Sequence, residues 1–227
     1  MGKLGIAYNP DAVIIGALML LVPGLLFTNA MRGIIYGDIN SGTTRIFQVF
    51  LIAAAIALGT ATAWNISISL WGAHPETADA SYPFLLQAIA CFIGCVGFSI
   101  IFNIHGPGGL LCALGGLFAW ATYIILVDLG ASDILAYFWA AVLSSAYSEI
   151  MARIRKYPAI SYLVVSIFPL LPGAGIYYTV SFALKNQMEL ALDKGLQTVS
   201  IAGVMAVGIL LVSTVVRLWN NWKSTRK

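Results

Sequence analysis

The Leu-Val-Pro-Gly stretch at residues 21–24 returns as Leu-Leu-Pro-Gly at residues 170–173, 149 positions later. Laid over each other without gaps, residues 21–59 and 170–208 share eight identities, which include both Pro-Gly pairs and the pair Gln48/Gln197. The two copies begin in the first and sixth of the long apolar segments of the chain, so the second copy begins five predicted membrane crossings after the first. An odd number of crossings inverts the second copy. Inverted repeats with a Pro/Gly break inside a membrane helix are typical of secondary transporters.

The composition places this chain in lipid. It is 60% hydrophobic and 9% charged, and its mean hydropathy is +0.90, whereas a soluble domain has roughly 25% charged residues. The net charge of +3 is small, and the basic residues cluster at the ends of apolar segments. This charge pattern indicates orientation in a membrane and argues against nucleic-acid binding.

Seven segments are long and apolar enough to cross a bilayer core, which needs about 20 residues per helix. All should be helical, because lipid cannot satisfy free backbone groups. The sequence therefore predicts an all-α polytopic membrane protein with about seven transmembrane helices and an inverted repeat of Pro-Gly-broken helices. The predicted segments are 11–34, 44–68, 83–104, 108–128, 132–152, 158–183 and 196–219.

The distribution of Lys and Arg predicts a cytoplasmic C-terminus and an external N-terminus. With the seven segments above, nine basic residues fall on one side of the membrane and three on the other, and the basic side is cytoplasmic in most membrane proteins. The nine are Arg32, Arg45, Arg153, Arg155, Lys156, Arg217, Lys223, Arg226 and Lys227, and the three are Lys3, Lys185 and Lys194.

Several stretches resemble the threonine/serine exporter (ThrE) family. They are residues 21–32, the Gly-Asp-Ile-Asn-Ser-Gly run at 37–42 followed by Arg45, Phe102-Asn103 before a Gly-rich helix, Ser148-Glu149 before Arg153, and residues 168–173. The resemblance implies two halves of five helices each, fused or encoded as two proteins. Residues 1–70 resemble the last two helices of the first half, and residues 82–227 resemble a complete second half.

The resemblance implies a function in transport. Family members are associated with export of threonine and serine, and some two-protein relatives with export of succinate. We therefore expect a secondary-active exporter of small polar metabolites, threonine or serine first, in the bacterial inner membrane. The alternative is a subunit of a split two-protein exporter that has no transport activity alone. A homo-oligomer or a partner subunit would supply the missing helices.

The two breaks are the candidate substrate site. Pro23 and Pro172 have no backbone N–H, and Gly24 and Gly173 permit local unwinding. The freed carbonyls and helix ends can then face an ion or a zwitterionic amino acid. Alternatively, the kinks shape packing only, and nearby amides and hydroxyls join helices by hydrogen bonds. The remaining candidate substrate-lining residues are Thr28, Asn29, Arg32, Gln48, Tyr177, Tyr178, Thr179 and Gln197.

A second group of polar residues is predicted to couple or gate transport. Glu149 is a candidate proton carrier or one member of an i,i+4 pair with Arg153. His105 and Asn103 are candidates for a pH-sensitive or exit position. Asp38 could pair with Arg32 and Arg45 and so fix the cytoplasmic mouth of the transport path. Alternatively, Asp38 is a turn residue, and the two arginines are positive-inside anchors.

The sequence gives no indication of an enzyme. It contains no H-E-x-x-H, G-x-S-x-G or P-loop motif, and its two histidines lie in predicted loops. Cys91, Cys95 and Cys112 lie inside apolar segments without a C-x-x-C pair and are expected to be core residues. We therefore predict no cofactor and no metal, and coupling to an ion gradient in preference to ATP.

Overall fold

The computed structural model describes residues 16–71, 82–104 and 106–225. Over these ranges the chain is helical and has no strand, so the predicted all-α polytopic membrane fold is confirmed. A 3-10 turn at Phe168–Leu170 separates the sixth and seventh helices. The helices are α1 (Gly24–Tyr36), α2 (Ile39–Trp71), α3 (Phe84–Ile101), α4 (Pro107–Asp128), α5 (Asp133–Arg155), α6 (Ala159–Ser166), α7 (Gly173–Leu184) and α8 (Met188–Thr225).

Within the described ranges, five helices are long and apolar enough to span a membrane, namely α2, α3, α4, α5 and α8. A sixth candidate span combines α6 with the segment Phe168–Leu184, and these two parts are bent by 41°. The first predicted segment, 11–34, begins outside the described residues. Its described part has a helical stretch at 16–18, a turn, and then α1. The count of seven spans therefore stays a prediction.

The two repeat copies pack reciprocally. α1 lies against α2 and α8, while α7 lies against α8 and α2. The helices also start at the spacing of the sequence repeat, since Gly173 and Met188 follow Gly24 and Ile39 by the same 149 residues. Each of the short helices α1 and α7 thus contacts both of the long helices α2 and α8. That the two copies cross the membrane in opposite senses stays a prediction.

Repeated residues fill the centre of this four-helix unit. Phe27 and Ile176 occupy equivalent positions in the two copies, as do Ala53 and Ala202, and all four belong to one buried cluster with Val49. In lipid, helix association depends on close packing, because apolar burial gives little driving force. The small buried alanines allow α2 and α8 to approach their neighbours.

The remaining helices extend the bundle. α3 packs against α4, α4 against α5 and α6, and α5 against α8. Glycines on α4 make the approaches close, because a methyl group at Gly116 would overlap Cys95 of α3, and one at Gly115 would overlap Ser166 of α6. The sequence places glycines on both α3 and α4, but Gly94 and Gly97 of α3 have open space around the Cβ position.

Two helix starts differ from the predicted segments. α2 begins at Ile39, not 44, and α8 at Met188, not 196. Asp38 Oδ1 accepts the N–H of Ser41 at 3.3 Å, which caps α2 at its first turn. The first turns of α8 contain the charged residues Glu189, Asp193 and Lys194. Their charge kept this stretch out of the predicted apolar segment, although most of its residues favour helix formation.

Candidate functional site

The two Pro-Gly breaks are in direct contact. A Cβ atom placed on Gly24 would lie 3.0 Å from both Cα and N of Gly173, and one placed on Gly173 would lie 3.0 Å from Val22 Cγ1. Ordinary carbon contacts are about 3.5–4.0 Å. Glycine at position 24 therefore lets the two backbone segments meet at this separation, and glycine at position 173 leaves room for the side chain of Val22. The breaks were predicted from sequence, and their contact is added by the structure.

The two breaks share one backbone geometry. Pro23 has φ −81° and ψ 44°, and Pro172 has φ −77° and ψ 40°. In each, the glycine N–H donates to the carbonyl two residues earlier, at 2.9 Å for Gly24 and 2.8 Å for Gly173. This is an inverse γ-turn centred on proline. It lets α1 and α7 start abruptly at the contact point.

The N-termini of α1 and α7 therefore converge. Neither helix has a side-chain cap at its first turn, and a helix N-terminus carries a partial positive charge of about half an elementary charge. Two such ends at one point create a local positive field with backbone N–H donors. A carboxylate is the group that this arrangement would attract.

Prolines at the breaks also free backbone carbonyls. Pro169 has no N–H for the carbonyl of Val165, and that carbonyl instead accepts a weak bond from Cys95 Sγ at 3.9 Å. Pro23 likewise leaves the carbonyl of Met19 without its i+4 donor. The Val165 carbonyl is thus satisfied by α3, whereas Met19 lies in the wall of a cavity.

A cavity of about 340 Å³ adjoins both breaks. Met19 comes from the segment before the first break, and Phe168 and Pro169 come from the turn before the second. Gln87 and Cys91 add polar groups to its wall, and the other lining residues are Trp120, Ala90, Gly94, Cys95 and Phe98. The rest of the wall is apolar.

Aromatic side chains close one part of this cavity. The rings of Phe98 and Phe168 have centroids 3.5 Å apart, and Phe102 lies 6.4 Å from Phe168. Phe168 precedes Pro169 and is buried, so a movement at the second break would shift this stack. The stack connects the break to the end of α3.

Sequence reasoning missed Trp120, the most informative lining residue. Its Nε1 is buried and has no hydrogen-bond partner among the described residues. An unsatisfied buried donor costs about 1–3 kcal/mol. A tryptophan in an apolar segment cannot be distinguished from the other hydrophobic residues by sequence alone. Only the burial of its nitrogen without a partner identifies Trp120 as a candidate site residue.

The predicted hydroxyls near the breaks mostly satisfy their own helices. Thr28 Oγ1 donates to the Gly24 carbonyl at 3.1 Å, and Thr179 Oγ1 donates to the Gly175 carbonyl at 2.7 Å. Both are i,i−4 bonds that occur commonly inside helices. Thr179 also lines a second, apolar cavity of about 310 Å³ between the repeat copies.

The predicted tyrosines lie on α7. The hydroxyl of Tyr177 is hydrogen-bonded to that of Thr60 on α2 at 3.2 Å. Tyr178 packs edge-on against Tyr177 and stacks on Phe182. Tyr177 therefore joins the second copy to the first by a hydrogen bond between helices, which is the alternative role that the sequence leaves open for these polar residues. Asn29 and Arg32 are half-buried on α1.

The two repeated glutamines differ in their surroundings. Gln48 is exposed on α2. Gln197 accepts from Lys194 Nζ at 3.0 Å and donates to Asp133 Oδ2 at 3.5 Å. Thr198, its neighbour in sequence, packs against Gly175 two residues past the second break. Gln197 thus lies between Lys194 and Asp133, and its contact with Asp133 is not among the sequence predictions.

The predicted gating residues are spread over the bundle. Asp38 caps α2, and Arg45 is exposed. Arg153 donates to Asn220 Oδ1 of α8 at 3.0 Å, and it shares a groove of about 350 Å³ with Glu149. Asn103 adopts φ 58° and ends α3, a left-handed position that asparagine tolerates. His105 lies outside the described residues.

Two models of known protein families match parts of this chain. A family model described as "Threonine/Serine exporter, ThrE" matches residues 87–215, more than half of the chain, and a second threonine/serine exporter model matches residues 1–67. No solved structure matches the chain.

Two curated proteins illustrate the likeness. The threonine/serine exporter of Corynebacterium glutamicum is 23% identical over 228 residues, which cover 95% of this chain and 45% of that protein. The probable threonine/serine exporter of Mycobacterium tuberculosis (strain ATCC 25618 / H37Rv) is 22% identical over 214 residues, covering 89% of this chain and 40% of that protein. The chain thus spans less than half the length of these relatives. The match over residues 87–215 shows that the chain belongs to the threonine/serine exporter family.

Proposed function

We propose that this protein is a secondary-active exporter of small polar metabolites, with threonine and serine as the first substrates to test. One observation carries the proposal: two helix breaks with the same geometry meet at Gly24 and Gly173 beside a cavity of about 340 Å³. Broken helices that meet inside a repeat are the usual construction of a transporter binding site. The names of the curated relatives support amino acids as the substrate class.

The chemistry of the breaks suits a zwitterion. The converging N-termini of α1 and α7 attract a carboxylate. Freed backbone carbonyls such as that of Met19 attract an ammonium group. An amino acid carries both groups on one carbon, so it complements a site that offers both ends of broken helices within a short distance.

Transport requires the site to open to each side in turn. The contact between the breaks is formed by two short backbone segments, and in this proposal α1 and α7 tilt about it while their packing against α2 and α8 shifts. The Phe98–Phe168 stack moves with the second break. In this proposal, tilting of α7 separates the two rings and opens the cavity toward the opposite side.

Efflux of a labelled amino acid tests the proposal. Vesicles containing the protein are loaded with radiolabelled threonine or serine, and efflux is compared with that from protein-free vesicles, with and without an imposed proton or sodium gradient. We expect faster efflux that depends on the gradient. Unchanged efflux of every amino acid and dicarboxylate tried would overturn the assignment as an exporter.

A subunit of a split exporter is the second candidate. The observation that favours it is coverage, because the matched region is 45% and 40% of the two relatives. A partner subunit, or a second copy of this chain, would then supply the other helices. Efflux that appears only when a co-purifying chain is present would support this candidate over a chain that transports alone.

Orientation and coupling complete the proposal. Arg153 and Arg217 lie at one end of the bundle, bonded to Asn220 and Tyr36, and we assign this end and the C-terminus to the cytoplasm of a bacterial cell. Glu149, half-buried in its groove, is our candidate for the coupled proton. Glu149→Gln should then abolish the response of efflux to a proton gradient.

A further inference from the structure

A single amide side chain separates a cation from a carboxylate beside the second break. Lys194 Nζ donates to Gln197 Oε1 at 3.0 Å, and Gln197 Nε2 donates to Asp133 Oδ2 at 3.5 Å. Tyr123 Oη donates to the other carboxylate oxygen at 3.1 Å. The contact of 3.5 Å is long for an N–H···O bond, so the amide holds the carboxylate weakly.

The Gln197 amide imitates an amino acid at this place. It presents an oxygen acceptor to Lys194 and a nitrogen donor to Asp133. The α-carboxylate and α-ammonium groups of an amino acid present the same acceptor and donor, close together and each with a full charge. Charge-assisted hydrogen bonds are roughly twice as strong as neutral ones. A zwitterion would therefore compete favourably with the amide for both residues.

We propose that Lys194 and Asp133 are the two poles of a binding site for α-amino acids, from which the side chain of Gln197 is displaced. This inference rests on the proposed export function and places a second substrate position on the path from the breaks. Lys194 binds the α-carboxylate. Asp133, held by Tyr123, binds the α-ammonium group.

Aromatic rings connect this site to the cavity. Tyr123 packs against Tyr137 with centroids 4.6 Å apart and against Trp120 at 5.4 Å. Trp120 and Pro169 both line the cavity, and Trp120, Tyr123 and Leu171 of the second break pack against one buried cluster. Aromatic faces attract cations. The row of rings therefore offers the ammonium group of the substrate a favourable surface between the cavity and Asp133.

The first repeat copy shows which element of the site is decisive. The spacing of basic residue and glutamine recurs as Arg45 and Gln48, but both side chains are exposed on α2. Within the described ranges, only the second copy has a carboxylate bonded to its glutamine. Asp133 therefore supplies the negative charge that the first copy lacks, and with Lys194 it gives the second copy a cation and a carboxylate on either side of Gln197.

Two charge-neutralising variants with matched controls test the proposal. Asp133→Asn and Lys194→Met are compared with Asp128→Asn and Lys185→Met, which remove like charges from exposed residues on neighbouring helix ends. Threonine efflux is measured for the 227-residue protein in proteoliposomes. Each test variant should raise the half-saturating threonine concentration about tenfold, the low end for lost hydrogen bonds to charged groups. The controls should leave it unchanged.

Competition with 3-hydroxybutyrate separates recognition from a structural role. This compound has the carboxylate and hydroxyl of threonine but lacks the α-ammonium group. Asp133→Asn should reduce the preference for threonine over 3-hydroxybutyrate about tenfold, whereas Lys194→Met should leave that preference unchanged. An equal loss for both compounds in Asp133→Asn would overturn the assignment of Asp133 to the ammonium group.

Two further variants keep the test decisive if a single charge change prevents folding. Gln197→Ala removes the competing amide and should lower the half-saturating concentration a few-fold, and a higher concentration would contradict displacement. The swap Asp133→Lys with Lys194→Asp should regain most of the affinity by binding threonine in reverse. Wild-type kinetics in all four variants would overturn this site and leave the exporter proposal standing. A wild-type protein that moves no substrate, either alone or with a co-purifying chain, would overturn both.

Discussion

The contact between the breaks predicts that alanine will affect the two glycines unequally. A Cβ on Gly24 would lie 3.0 Å from backbone atoms of Gly173, which cannot rotate away. A Cβ on Gly173 would meet the Cγ1 methyl group of Val22 at 3.0 Å, and a side-chain methyl can turn aside. Gly24→Ala should therefore be the more damaging change, although both glycines begin helices.

The magnitude follows from two opposing effects. Overpacking costs about 1–3 kcal/mol, and alanine gains about 0.5–1 kcal/mol over glycine in a helix. We expect a net loss of about 2 kcal/mol for Gly24→Ala, and roughly 0–1 kcal/mol for Gly173→Ala. At about 2–4 °C per kcal/mol for a chain of this size, Gly24→Ala should lower the Tm by about 4–8 °C.

Thermal unfolding of detergent-purified variants provides the assay. Gly59→Ala is the matched control, because its Cβ would meet no atom within 4 Å, and its Tm should stay the same or rise slightly. Val22→Ala should rescue Gly173→Ala by removing the methyl group, but it should not rescue Gly24→Ala. Equal effects at both glycines, or rescue of both by Val22→Ala, would refute the backbone contact.

Three further predictions concern the packing around the site. Trp120→Phe removes a buried donor without a partner, so the Tm should stay the same or rise, with a gain in the free energy of unfolding of at most about 1 kcal/mol. A clear fall in Tm would instead indicate that Nε1 has a partner. Gly116→Ala should cost about 1–3 kcal/mol because its methyl group would overlap Cys95, and Gly97→Ala on α3, whose Cβ position is open, should not lower the Tm. Asp38→Ala should cost about 1 kcal/mol through loss of the α2 cap, while Asp38→Asn keeps an acceptor and most of the stability, as circular dichroism melting would show.

The sequence was sufficient for the helical membrane fold and for the position of the breaks. Proline lacks an N–H wherever it stands, so Pro23 and Pro172 cannot donate within a continuing helix, and each directly precedes the start of a new helix. The repeat spacing of 149 residues then reappeared in the helix starts. The division of the chain at 1–70 and 82–227 and the inverted crossing of the copies stay predictions.

The contacts across the fold were beyond sequence reasoning. Gln197 meets Asp133 across 64 residues of chain, a separation that no local sequence pattern spans. Thr28 and Thr179 were chosen as substrate-lining residues, but a helical hydroxyl has its own i−4 carbonyl within reach, and the structure shows that bond in both. The cavity depends on the distance between α3 and the turn at Phe168, which only packing determines.

A disulfide between the breaks tests the central claim most directly. The Cβ atom of Val22 lies 3.7 Å from the Cβ position of Gly173, which is within the range for a disulfide. Val22→Cys and Gly173→Cys are combined in a protein whose three native cysteines are replaced, with a protease site inserted between residues 71 and 82. Oxidation in native membranes should keep the two fragments joined on a non-reducing gel, whereas the control pair Gly59→Cys with Gly173→Cys should separate. Fragments that separate equally in both pairs would contradict a contact between the two breaks.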